Sequence, residues 1–244
     1  MNTLLEEAKK TLEQAHIDER VLEEEERQRI IAVCEDHASA NTSGRVSQYN
    51  VCAVHPYYLE LEMSDGLARL MDVKKNTRPR EVLEEVLRNV DRYRYTTVLF
   101  DSHPHYTLKS HELVDEGLID KVIFTFHEYG IPIHKGDMGG FRDSRSNYVG
   151  GAIADQCLAI AMRQIRRYAP FFSVRPIKDA ITYHQPTFLT KVIGHLHLPY
   201  LIAGGKWNTV NDIVFHVPSR IYTWIMGVQS KELLQAPNTF SITQ

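Results

Sequence analysis

The sequence predicts an α/β fold: an open, mostly parallel sheet flanked by helices and preceded by an N-terminal helical segment. Three observations point there. Short apolar runs of the buried-strand type, such as TTVLF at 96–100, alternate with amphipathic helical patterns. Polar segments follow the strand-like runs directly, where open α/β sheets keep their ligands. At 244 residues, with 43% hydrophobic and 24% charged side chains, the chain can bury a sizeable core. Residues 1–244 therefore read as a single α/β domain.

Residues 2–36 carry Leu4, Leu5, Ala8, Leu12 and Ala15, then Val21, Leu22, Ile30, Ile31 and Val33, at helical spacing, which predicts one long helix or two shorter ones. The run Glu23 to Glu26 reads as a solvated face, and the polar stretch ASANTSGR closes this acidic segment at about residue 40. VSQYNVCAV is strand-like and stops at His55-Pro56, where the proline pushes His55 out of helical geometry. Pro79 opens the amphipathic helix PREVLEEVLRNVDRYR, whose stripe is Val82, Leu83, Val86, Leu87 and Val90.

TTVLF leads straight into Asp101-Ser102-His103-Pro104-His105, a post-strand loop. A helix from about Leu108 to Gly117 and the strand KVIFTF repeat the strand–helix–strand rhythm. His134 to Asn147 is aperiodic, holds three glycines and reads as a long loop of the kind that is commonly functional. A helix is expected from about Asn147 to Tyr168, with Ile153, Cys157, Ile160, Ala161 and Ile165 inward. Phe171 to Gln244 reads as several strands with one helical segment near Thr187 to Gly194. The arrangement is Rossmann-like.

Charge and cysteine usage narrow the setting. The net charge of −3 hides an asymmetry, because residues 1–36 hold eleven acidic against five basic residues and leave the rest mildly basic. Arginines gather at Arg142, Arg145, Arg163, Arg166 and Arg167, which suits either solvated helix faces or a polyanion such as RNA. Three cysteines at unrelated spacings argue against a disulfide framework or a Cys-rich zinc site. No run approaches the ~18 apolar residues of a membrane span, and the acidic N-terminus is no signal peptide, so no membrane partner and a cytoplasmic location are expected.

Two His-x-His pairs, His103/His105 and His195/His197, would set two imidazoles on one side of an extended segment, with Asp101 as a further ligand. That constellation supports a metal-dependent hydrolase as one reading. Another begins at AIAMRQIRRYAPFF and ITYHQPTFLTKVIG. With Ala169-Pro170-Phe171-Phe172 and Tyr183-His184-Gln185-Pro186, this stretch resembles the cyclodipeptide synthases, relatives of class I aminoacyl-tRNA synthetases. In that family a helix ends before Pro-Phe-Phe and a hairpin leads to Tyr-His. VCAVHPYY and DSHPHYTLKSHEL are similar to the family's first and second strand ends, and about a third of the chain is covered. His55 stands where the family has its nucleophilic serine, Tyr168 where it has an acidic residue, and Gln164 where it has a tyrosine. The divergent fungal type that uses arginyl-tRNA best accommodates these departures.

The resemblance implies that two aminoacyl-tRNAs are condensed into a cyclic dipeptide. No cofactor is needed, because an aminoacyl ester is already activated and positioning with proton transfer suffices. His55 would be base or acyl acceptor, and Tyr58, Tyr183 and His184 would hold the amino group and relay protons. Asp101, His105, Glu112, Asp137, Gln164 and Tyr168 would line the aminoacyl pocket, and the five arginines named above would meet the tRNA. Each feature also has a structural reading: His55 as a turn residue, Tyr183-His184 as a hairpin pair, and the aromatics around Pro170 as core. A third class is a non-catalytic binding protein whose acidic N-terminal helix engages a partner.

Overall fold

The computed structural model describes residues 3–18, 20–57, 78–101, 104–128, 131–135, 138–152, 157–182 and 219–235. The N-terminal pattern resolves into two helices, α1 (Thr3–Ile17) and α2 (Glu24–Asn41). The acidic run between them does more than face solvent. The Glu23 N–H donates to the Glu26 carboxylate at 3.1 Å, and Arg20 grips the same carboxylate with two bonds of 2.7 and 2.9 Å. Helix α2 also runs past its expected end. Ala38 and Ala40 favour helix, Asn41 Nδ2 donates to the His37 carbonyl at 2.8 Å, and the Thr42 N–H closes on the Ala38 carbonyl at 3.0 Å.

Five strands run parallel: β1 (Tyr49–Val54), β2 (Thr96–Asp101), β3 (Lys121–Glu128), β5 (Ser146–Gly151) and β6 (Val174–Ile181). A short β4 (Ile131–Lys135) pairs antiparallel with β3 at one edge, giving the order β4-β3-β2-β1-β5-β6. Helix α3 (Arg78–Asn89) crosses from β1 to β2, α4 (Pro104–Asp115) from β2 to β3, and α5 (Cys157–Tyr168) from β5 to β6. Two short helices, α6 (Ser219–Met226) and α7 (Ser230–Leu234), come last among the described residues.

The strand period of two splits the core. Val51, Ala53 and Leu99 pack with Leu83, Val86 and Leu87 of α3, whereas Cys52, Val54, Val98 and Phe100 pack with Leu158, Ala161 and Ile165 of α5. The sheet is thus covered on both faces, as its buried central strands require. A third cluster joins α1 and α2 to Leu108 of α4 and Phe124 of β3, so the acidic N-terminal segment is bound into the body. This is the expected Rossmann-like architecture. The chain winds outward from β1 to β3, then returns to β1's other side for β5 and β6. The crevice of such a sheet opens between β1 and β5, at the carboxyl ends of the strands.

Four boundaries differ from expectation. The segment from His134 is not structureless: β4 includes it, and a 3-10 turn at Gly139–Phe141 buries Phe141 completely. The helix expected from Asn147 gives way to a strand over Ser146–Gly151, and the described helix is Cys157–Tyr168. Gly151 has φ +124°, and a Cβ there would lie 1.9 Å from the Val54 carbonyl oxygen. Asn147 likewise serves the sheet: Asn50 Nδ2 donates to Asn147 Oδ1 at 2.8 Å, and Asn147 Nδ2 donates to Ser173 Oγ at 3.2 Å. Helix α4 begins at Pro104, so His105 stands in its first turn rather than in a loop. Finally, no hairpin follows Pro170-Phe171-Phe172; a 3-10 turn leads into the single parallel strand β6. The helical segment expected at Thr187–Gly194 lies outside the described residues. Among the described residues no helix is long and apolar enough to cross a membrane.

Candidate active site

Strand β1 delivers His55 to the crevice in an uncommon conformation. Its φ is +42°, in the left-handed region that a non-glycine residue adopts at a cost, and Pro56 disfavours the ordinary helical alternative. The ladder still holds it, since the His55 N–H donates to the Phe100 carbonyl at 3.1 Å. That bond sets His55 beside Asp101, the last residue of β2. Nδ1 of His55 lies 3.0 Å from Oδ1 of Asp101, with the two side chains 1% and 0% exposed. A protonated imidazole donates from both nitrogens, so Nδ1 donates to the carboxylate. With Nδ1 engaged, Nε2 is the ring nitrogen left for the third member, Cys157, whose side chain hydrogen bonds the same imidazole.

Cys157 is the first residue of α5 and is only half-buried. It reaches the crevice from β5, His55 from β1 and Asp101 from β2, so the switch point of the sheet gathers all three. Burial works against a charge on His55. The attraction to Cys157 and the hydrogen bond to Asp101 outweigh it, and the imidazole is pushed up to about 10. At neutral pH it holds its proton. The same attraction favours the thiolate of Cys157. The other two cysteines differ: burial pushes the thiols of Cys34 and Cys52 up, and neither is exposed. A thiolate, an imidazolium and an orienting carboxylate in series can attack a carbonyl carbon and protonate a leaving group.

The expected site is only partly this one. His55 and Asp101 meet as the strand-end argument requires. Tyr58, Asp137, Tyr183 and His184 lie outside the described residues, as do His103, His195 and His197. His105 follows Asp101 onto α4, with its side chain outside the description. Glu112 is a surface residue paired with Lys109 at 2.8 Å, not a buried pocket carboxylate. Gln164 is buried seven residues into α5, about 10 Å along the helix from Cys157, and Tyr168 is half-exposed at its far end. Helix α5 starts at the crevice and runs away from it, which is why neither accompanies His55.

The arginines also lie away from the crevice. Arg142 and Arg145 are exposed before β5, where the Arg145 N–H bonds Gln48 just ahead of β1, and Arg167 is exposed in the last turn of α5. These positions mark the amino ends of the strands, about 20 Å from His55. Arg163 is half-buried, and Arg166 is only 7% exposed, with burial pulling its guanidinium down to about 10, so it is not part of a phosphate-facing surface. Among the described residues no group of three or more His, Cys, Asp or Glu side chains is suited to a metal ion.

Cys157 is the candidate residue to which the sequence reading assigned no role. Counting cysteines tested only disulfides and zinc, and the expected long helix turned Cys157 into one more inward residue. The signal was Gly150-Gly151, since two glycines inside a supposed helix argue for a strand end or a close backbone approach. A strand ending there places Cys157 after a strand end, beside His55. No protein-family model matches the chain, and a search of curated proteins finds no match.

Proposed function

We propose that this chain is an acyl-transferring enzyme with Cys157 as nucleophile, acting as a hydrolase on an amide or ester of a carboxylic acid. The observation that carries the reading is the hydrogen-bonded series Cys157–His55–Asp101 at the sheet's switch point. The thiolate adds to the carbonyl carbon, forming a C–S bond and pushing the carbonyl electrons onto oxygen. As that oxyanion collapses, the bond to the leaving nitrogen or oxygen breaks and takes the proton of His55. Acylation removes the thiolate charge, so His55 gives up its proton more readily at the step that needs it. Neutral His55 then takes a proton from water as the water attacks the thioester, the thiolate leaves, and the imidazolium is restored. Asp101 holds the ring orientation throughout.

The test uses p-nitrophenyl acetate as a generic acyl donor. A burst of nitrophenol stoichiometric with protein and an acetyl group mapped to Cys157 are expected, both lost in Cys157→Ser. Acetylation spread over surface lysines with no burst would overturn the reading.

A second reading keeps the aminoacyl-tRNA as acyl donor and a cyclic dipeptide as product. One observation favours it: His55 stands at the end of β1, where the resemblance puts the acyl-accepting residue. In this version Cys157 takes the first aminoacyl group as a thioester. Mass spectrometry of extracts from cells expressing the protein tests it, and extracts without cyclic dipeptides would remove it.

A further inference from the structure

We propose that Cys157 is a peroxide-sensitive switch: hydrogen peroxide converts it to a sulfenic acid that silences the site until a small thiol restores it. The inference rests on the thiolate–imidazolium reading of the site and extends it to a second reaction of the same sulfur.

Two features single out this residue. Its side chain is half-buried, so a small oxidant reaches it, whereas Cys34 and Cys52 are fully covered. Its partner His55 is 1% exposed and tied to Asp101 at 3.0 Å, which keeps a proton donor fixed beside the sulfur. Peroxide attack needs those components. The thiolate attacks one peroxide oxygen, the S–O bond forms as the O–O bond breaks, and the departing hydroxide takes the His55 proton to become water. Sulfur loses two electrons and the peroxide gains them, leaving Cys157–SOH beside a neutral imidazole.

The fate of the sulfenic acid follows from the other cysteines. Resolution to an internal disulfide needs a second thiolate, and burial keeps the thiols of Cys34 and Cys52 protonated. The sulfenic acid therefore waits for a thiol from solution. That thiol displaces water to give a mixed disulfide, and a second one releases the Cys157 thiolate with the small disulfide as by-product.

The experiment treats the whole chain with a few equivalents of hydrogen peroxide at pH 7, traps sulfenic acid with dimedone and maps the adduct by mass spectrometry. Iodoacetamide labelling is run in parallel. Dimedone is expected on Cys157 and not on Cys34 or Cys52, and dithiothreitol added before the trap should restore rapid alkylation. His55→Asn should slow both reactions about tenfold, since an ordinary thiol is a few per cent ionised at pH 7 and its higher intrinsic nucleophilicity recovers only part of that loss. Asp101→Asn, a milder change, gives the same direction should His55→Asn fail to fold. Rapid alkylation of Cys157 with no dimedone adduct would overturn this inference and leave the acyl-transfer reading standing. Slow alkylation as well as no adduct would sink both.

Discussion

His111 offers a quantitative check on how the N-terminal helices are held. It sits on α4, 2% exposed, where burial and the neighbouring His37 push its imidazole down to about 4. The His37 ring of α2 meets it edge-on at 4.8 Å and is itself tied to Asp115 of α4 at 2.6 Å, with Lys9 of α1 as the other charge nearby. A folded-state value below the unfolded value of about 6.5 means that the unfolded chain takes up the proton first as pH falls. The stability is complete above about pH 6.5 and is lost on the way down to about 4. A difference of 2.5 units corresponds to about 3 kcal/mol in full, of which about 2 kcal/mol is already gone at pH 5. His55, raised to about 10, acts in the opposite window: its contribution is complete below about 6.5 and fades toward pH 10, so it leaves the acid side flat. Urea denaturation at pH 7 and pH 5 of the wild type and of His111→Phe, which keeps the edge-on ring contact, isolates the effect. The wild type should lose about 2 kcal/mol more than the variant over that interval. Equal losses in the two proteins would show that His111 is not held neutral by the α2–α4 seam.

Other perturbations probe the site and the sheet beneath it. Asp101→Asn keeps a hydrogen-bonding side chain but removes its charge, so the alkaline limit of acyl transfer should fall from about pH 10 by about 1–2 units; an unmoved limit in the pH–rate profile would remove Asp101 from the series. Gly151→Ala puts a Cβ 1.9 Å from the Val54 carbonyl oxygen at a φ of +124°, and a loss of at least about 3 kcal/mol or outright misfolding is expected by melting. Asn147→Leu removes two buried hydrogen bonds that tie β1 and the entry to β6 to β5, while Asn50 keeps Ser47 and Ser144 as partners and Ser173 keeps the Pro170 carbonyl, so about 1–3 kcal/mol should be lost in urea denaturation, whereas Arg20→Ala at the exposed turn should leave the melting curve nearly unchanged.

What was legible in the sequence was the periodicity. TTVLF read as a buried strand because β2 is covered on both faces, and the α3 stripe read as a helix because Leu83, Val86 and Leu87 lie on one side of it. The placement of His55 followed from local chemistry, an apolar run stopped by proline, and that of Asp101 from the polar residue closing the next run. Boundaries set by tertiary contact were not legible. SNYVGG has no strand-like alternation, and what makes it β5 is the pairing with β1, including Asn50 to Asn147, formed between residues almost a hundred positions apart. Missing that strand carried the expected helix back over Ser146–Gly151 and made Cys157 one more inward residue. The missed residue and the missed boundary were one error.

That connection also explains how three side chains from three separate elements meet. In a parallel sheet the height of each strand end is fixed by register, and a one-residue slip would turn His55 to the opposite face. Here the register is held from both ends. At the amino ends, Asn50 bridges to Asn147 and Asn147 to Ser173, locking β1, β5 and the entry to β6. At the carboxyl ends, the absent side chain of Gly151 lets β5 close on Val54, and the Ala152 N–H donates to the Val54 carbonyl at 2.9 Å. Val54 is the residue before His55, and Ala152 begins the connection that carries the chain toward Cys157. The glycine that would have weakened a helix is therefore what brings β5 against β1, and the strained backbone of His55 persists because the ladder on either side leaves the residue nowhere else to go.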